Sequence, residues 1–292
     1  MFAALALSSL FQYNAKAPLD IRQYEPTRSV DGITVRSVTY ASPISGRVTA
    51  FIVAPRRPGR YAGVLYGHWA LGDRAEFLPE AIELAGSGVV SILPDATFTR
   101  PPQWRVGAPG SALDHPEQNA ALERHAVVDM RRALDVLVSQ PDVDASRIAY
   151  VGHSFDASLG GILGAVDQRI RALVLDAGDG NDTNLSDAFL RGAWHALDNR
   201  TFLESSLSKG QVQHYLSAMQ PFNADNFIGS IEAPIFMQYA DSDAYVSRAM
   251  ATDYARHAPP NTRVTWYVGG HELNDPRARR DRLQWLARVL KI

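Results

Sequence analysis

The 292-residue chain contains no cysteine. That removes a thiolate nucleophile, thiolate metal sites and disulfide bridges, and leaves the redox compartment undecided. It also lacks a phosphate-cradling glycine loop, a dinucleotide fingerprint and a His-Glu-x-x-His pair, so nucleotide and zinc chemistry are not expected. Neither sign of charge dominates: 29 Lys and Arg face 31 Asp and Glu, a formal net charge of −2. The cations are scattered, and a short cluster such as residues 277–282 reads as a solvated helix face. The expected partner is therefore a small molecule, with no role for nucleic acid or membrane and with the oligomeric state open. No apolar run is long enough to span a bilayer.

Residues 1–11 are apolar and lead to Ala15-Lys16-Ala17, the outline of a secretory leader. No basic residue precedes the run, and cleavage would fall directly before Pro18. The expectation is an N-terminal segment, residues 1–30, that packs on the domain of a cytoplasmic protein. The sequons at Asn181 and Asn199 would matter only in a secreted chain.

Residues 33–40 and 47–53 alternate apolar and polar side chains around a turn at Ser42-Pro43-Ile44-Ser45-Gly46, as a half-buried antiparallel hairpin does. Then the pattern changes. Residues 62–66, 89–93, 147–151, 172–175, 235–239 and 263–268 are short runs rich in Val, Ile, Leu and Tyr, which suits strands covered on both faces of a parallel sheet. Between them Leu122, Ala126, Val127, Met130, Ala133, Leu134 and Leu137 recur at helical spacing, as do Leu283, Leu286, Ala287 and Leu290. Strand–helix alternation predicts one α/β domain over residues 1–292, a mostly parallel, doubly wound sheet opened by an antiparallel hairpin. Residues 179–228 interrupt it with a mostly helical pattern, expected to form a cap over the carboxyl edge of the sheet.

The informative segment is Tyr150-Val151-Gly152-His153-Ser154-Phe155-Asp156-Ala157. A strand runs into a tight turn at Ser154 and a helix follows, the setting in which a strained turn lifts a serine Oγ above a sheet. The N–H of Phe155 would then face an incipient oxyanion at a helix N-terminus. Two further loops follow predicted strands in the same chain direction. One carries His271 after Gly269-Gly270, a candidate base. The other carries Asp241 and Asp243, either of which could orient the imidazole. Asp243 is favoured because it lies farther past the strand and is followed by Tyr245-Val246. The loop Gly67-His68-Trp69-Ala70-Leu71-Gly72 should supply a second oxyanion donor, expected to be the Trp69 amide. His68 reads as a hydrogen-bonding strut and His153 as a buried structural residue. Trp69, Phe98 and Trp104, with Trp194 and Phe202 from the cap, are candidates to line an apolar acyl pocket.

Together, Gly152-His153-Ser154-Phe155-Asp156, Gly67-His68-Trp69, Asp243 and Gly270-His271 resemble the α/β-hydrolase superfamily, in the style of its dienelactone-hydrolase-like and acyl-CoA-thioesterase-like bacterial esterases. The resemblance spans nearly the whole chain apart from residues 179–228. It implies the α/β-hydrolase fold and hydrolysis of an ester, thioester or amide through an acyl-serine, with no cofactor. Two departures stand out. Gly67-His68 inverts the usual His-Gly order, and Asp156 replaces a glycine two residues past the serine. An ionised Asp156 is expected to strain the turn and to repel the oxyanion, and it motivates an alternative, an impaired hydrolase fold used for binding.

Overall fold

The structure is a computed structural model that describes residues 7–107, 115–181 and 209–292, the side chain of Lys209 apart. The antiparallel opening has three strands, β1 (Arg22–Val30), β2 (Ile33–Ala41) and β3 (Arg47–Pro55). The predicted hairpin is β2–β3, paired in register from Ile33–Pro55 to Ala41–Arg47. β1 is additional. All nine of its residues are exposed, so it carries no alternation to read, and it holds to β2 through an irregular register around Pro26.

Then come β4 (Tyr61–Gly67), α1 (Leu78–Gly86), β5 (Val89–Pro94), α2 (Pro116–Val138), β6 (Val143–His153), α3 (Phe155–Val166) and β7 (Ile170–Asp176). The chain ends with α4 (Lys209–Met219), β8 (Ile235–Ala240), α5 (Arg248–His257), β9 (Arg263–Tyr267) and α6 (Pro276–Leu290). The sheet has nine strands in the order β1-β2-β3-β5-β4-β6-β7-β8-β9, and those from β5 to β9 run parallel. The expected doubly wound architecture with an antiparallel opening is what forms. Of the cap predicted over residues 179–228, residues 182–208 lie outside the described residues, and with them Trp194 and Phe202.

Alternation along the central strands feeds two cores. From β6, Ile148 and Tyr150 enter the core shared with α2 and α3, while Ala149 and Val151 enter the core shared with α1 and α6. Full burial of a side chain the size of Ile148 or Val151 contributes about 1.5–3 kcal/mol. Phe11 joins the first core, edge-on to Phe222 and Phe227. Arginines of α2 hold the segment's carbonyls: Arg124 donates to Leu10, Arg131 to Phe11, and Arg132 to Ala17 and Pro18.

Helix starts match their sequence. Ser247 caps α5 by accepting the Met250 N–H, and Asp275 caps α6 ahead of Pro276. The parallel strands all end at one edge. Gly67, His153, Asp176, Ala240 and Tyr267 therefore deliver their following loops to the same side of the molecule, the edge at which open α/β sheets carry their sites.

Candidate active site

Ser154 stands between β6 and α3 at φ +52° and ψ −112°. This backbone conformation is costly for a residue with a Cβ, and the surroundings must impose it. They do so on both sides: the Ser154 N–H donates to the Asp176 carbonyl at 2.7 Å, and the Ser154 carbonyl accepts the Ser158 N–H at 2.9 Å. A Cβ on Gly152 would come within 2.5 Å of the Asp156 carbonyl oxygen, so the turn closes only over glycine there.

His271 Nε2 lies 2.7 Å from Ser154 Oγ. Its Nδ1 lies 2.8 Å from one Asp243 oxygen and 3.0 Å from the other. The Asp243 side chain is 1% exposed, and its Oδ1 also accepts the N–H groups of Tyr245 and Val246 at 2.8 and 2.9 Å. The carboxylate is thereby fixed before it meets the imidazole. Asp241 is elsewhere. It is exposed and accepts the Gly269 N–H at 3.2 Å, bracing the turn that carries His271. Tyr245 packs edge-on to His271 with ring centroids 4.7 Å apart.

The oxyanion loop departs from expectation at Trp69. The Trp69 N–H donates to Glu76 Oε2 at 2.9 Å, so it is engaged by an internal carboxylate. The Trp69 ring stacks on His153, 5.8 Å between centroids and 14° between planes, and reaches His271 at 5.8 Å. The next residue, Ala70, packs with Phe155 against the small cluster of Ala96, Phe98 and Leu122. Phe155 opens α3, so its N–H has no acceptor within the helix. His68 is buried, accepts the Ala96 N–H on Nε2 at 2.9 Å and places Nδ1 2.7 Å from the Trp69 carbonyl, a strut inside the loop. His153 is buried beneath the elbow, its Nδ1 2.5 Å from Glu76 Oε1 and its Nε2 donating to the His271 carbonyl at 2.8 Å.

Phe98 lies edge-on to Phe155 with centroids 5.2 Å apart, beside the elbow. Trp104 corrects the sequence reading. Its ring packs on Tyr24 of β1 and over Gly46 in the β2–β3 turn, and no ring contact joins it to Phe155 or His271. β3, which that turn opens, is separated from β6 by β5 and β4.

Asp156 also departs from expectation. It is fully buried in the first turn of α3, where no side chain hydrogen-bonds its carboxyl and the backbone N–H of His68 approaches it. Burial, reinforced by the negative charge of Glu76, pushes this carboxyl well above the usual carboxylate range. Burial thus works against the ionised form on which the expected like-charge repulsion depends. The residue has no left-handed backbone either, and the strain sits on Ser154 alone in this turn.

No family model matches the chain, and no curated protein sequence does. Solved structures do. Acetyl xylan esterase 1 from Thermoanaerobacterium sp. JW/SL YS485 superposes with a TM-score of 0.77 at 14% identity over 99% of this chain and 92% of that one. An acetyl xylan esterase from Paenibacillus sp. R4 gives 0.75 at 20% identity over 98% and 92%. An alpha/beta hydrolase from Penicillium sp. sh18 gives 0.59 at 16% identity over 94% and 100%. This chain has the α/β-hydrolase fold. In that fold the nucleophile, acid and histidine follow in chain order at the carboxyl edge of the sheet, the order in which Ser154, Asp243 and His271 stand here.

Proposed function

We propose that the protein is a serine-dependent carboxylic ester hydrolase acting on small or medium acyl groups through an acyl-serine intermediate. The observation that carries the reading is the continuous contact from Ser154 Oγ through His271 to Asp243, 2.7 Å and 2.8 Å, on a strained elbow. His271 Nε2 takes the serine proton as Oγ attacks the ester carbonyl carbon. Asp243 holds Nδ1–H and stabilises the imidazolium that forms. The tetrahedral oxyanion is stabilised by the Phe155 N–H at the start of α3 and by the Ala70 N–H, the loop amide next after the one Glu76 engages. Collapse expels the alcohol, protonated by His271, and a water activated by the same nitrogen frees the acid.

Ester substrates stand first because structural neighbours are acetyl xylan esterases by name. The cluster of Ala70, Phe98, Leu122 and Phe155 packed beside the elbow favours a short acyl chain. Thioester or amide cleavage would use the same groups. Among the described residues no helix is long and apolar enough to cross a membrane.

The test is intact-mass analysis after treatment with a fluorophosphonate, followed by a panel of chromogenic esters. A single adduct mapped to Ser154 and absent from Ser154→Ala is expected, with ester turnover lost in the same variant. An unlabelled, folded wild type would overturn the nucleophile and favour the binding-protein alternative.

A further inference from the structure

Three loops must agree for this reaction: the one after β4 carrying Trp69 and Ala70, the elbow after β6, and the one after β9 carrying His271. Two side chains in series link all three. Glu76 Oε2 accepts the Trp69 N–H at 2.9 Å, and its Oε1 lies 2.5 Å from His153 Nδ1. His153 Nε2 in turn donates to the His271 carbonyl at 2.8 Å. Glu76 itself has no part in the proton transfers described above.

We propose that Glu76 and His153 form a positioning pair, a carboxylate and an imidazolium that lock the oxyanion loop to the elbow and to the His271 loop while cancelling each other's charge beside His271. The proposal rests on the reading of Ser154 and His271 as nucleophile and base.

The proton count follows from the contacts. Nε2 of His153 faces a carbonyl and must carry hydrogen. Nδ1 faces a carboxylate oxygen whose partner oxygen already accepts an amide, which favours an ionised Glu76 and a second ring proton. Burial alone would lower the pKa of His153, but the Glu76 hydrogen bond and charge, then the Asp176 charge and the His271 carbonyl, carry it above the ordinary value. The His153 and His271 rings are 5.2 Å apart, so any net charge on the pair would be felt at His271. The other titratable groups around them are Asp243 on the far side of His271, Asp176 at the end of β7 with its ion-pair partner Arg282 on α6, and Asp156 on α3, whose ionised form burial opposes. A lone imidazolium at His153 would oppose the protonation of His271, and a lone carboxylate at Glu76 would favour it too early. The neutral sum leaves that balance to Asp243.

The experiment measures kcat, KM and the pH profile of the full chain on p-nitrophenyl acetate, with thermal melting as the check on folding. Glu76→Ala should lower kcat about 10–100-fold with KM changed by less than about threefold, since a shift of about 1 Å in a catalytic frame costs on the order of a hundredfold. Glu76→Gln can accept the Trp69 N–H and donate to a neutral His153, and should recover kcat to within about fivefold of wild type. His153→Phe keeps a ring under Trp69 but leaves the Glu76 carboxylate unpaired. Its acidic limb should move to higher pH by about half a unit or more, while that of Glu76→Gln stays in place. The proposal is overturned by a Glu76→Ala enzyme within about threefold of wild-type kcat, by Glu76→Gln no better than Glu76→Ala, or by an unmoved limb in His153→Phe. If Glu76→Ala does not fold, the other two variants decide. Failure of the nucleophile reading is distinct, because it appears in the wild type as absence of a fluorophosphonate adduct.

Discussion

Gly67 and Asp156 share one space: a Cβ on Gly67 would lie 2.6 Å from Asp156 Cβ and 2.8 Å from its Cγ and Oδ2. The two departures from the hydrolase pattern are thus one fitted contact, a side chain added on α3 where β4 ends in a residue without one. Gly67→Ala should destabilise the fold by about 1–3 kcal/mol through overpacking. The double variant Gly67→Ala/Asp156→Gly should regain most of that loss, because the residues touch and their effects do not add. Denaturant melts of the four-member cycle measure this, and a coupling near zero would mean that the two positions act independently.

Asp156 also predicts a pH dependence of stability. Its folded pKa is raised above the ordinary 3.8, first by burial. Such a group contributes its full stability below the unfolded pKa and loses it as pH rises through the folded value. Asp156→Asn, which carries no ionisable proton, should therefore gain on wild type as pH increases from 4, by about 1.4 kcal/mol for each unit until the folded pKa is passed. Melting curves from pH 4 to pH 9 check it. A variant that instead loses ground to wild type as pH rises would mean that Asp156 is ionised and partnered in the fold.

For the acid, the contacts separate two candidates that sequence alone left open. Asp243→Asn should lower kcat on the order of ten-thousandfold, since an amide no longer stabilises the imidazolium or its working tautomer. Asp241→Asn changes an exposed brace of the Gly269 turn and should cost less than about tenfold. Steady-state rates on one chromogenic ester decide, and the reverse order would move the acid to Asp241.

The strands that build the site were legible because each is covered on both faces and reads as an apolar run. Ser154 and His271 were legible because a strand–helix turn exposes its serine and a strand end projects its histidine, both toward the same edge of the sheet. β1 was hidden by its complete exposure. Glu76 was hidden because an acid just before an apolar helix reads as an ordinary helix-start residue. The Trp69 amide is engaged internally because the direction of a loop amide depends on which acceptor reaches it first, and Glu76 is seven residues farther along. Trp104 was expected at the site as an aromatic near the sheet's carboxyl edge, whereas its ring packs on Tyr24 and over Gly46.

Phe11, near the start of the described chain, is completely buried between Phe222 and Phe227. Its position ahead of Ala17-Pro18 makes it a direct measure of whether the segment belongs to the working fold. Phe11→Ala should destabilise the protein by about 3–5 kcal/mol, the range for emptying an aromatic site in a core. Urea unfolding of purified full-length protein tests this. A loss below about 1 kcal/mol would mean that the segment is dispensable to the domain.

Phe98 offers the test of acyl selectivity. Its ring closes edge-on against Phe155, with Leu122 and Ala70 in the same cluster, and Phe155 supplies an oxyanion N–H in the proposed mechanism. An acyl chain whose carbonyl oxygen reaches that N–H must run past these side chains, so their volume limits its length. Phe98→Leu shortens the wall without introducing a polar atom. Each methylene admitted to an apolar pocket contributes about 1–3 kcal/mol to transition-state binding. The ratio of kcat/KM for p-nitrophenyl hexanoate over acetate should therefore rise about tenfold or more, chiefly through the longer ester. Acetate turnover should fall only modestly, because the contacts joining Ser154 Oγ, His271 and Asp243 do not involve Phe98. An unchanged ratio in a folded Phe98→Leu enzyme would mean that the acyl chain leaves the site by another face, and that Phe98 only fills the core beneath the elbow.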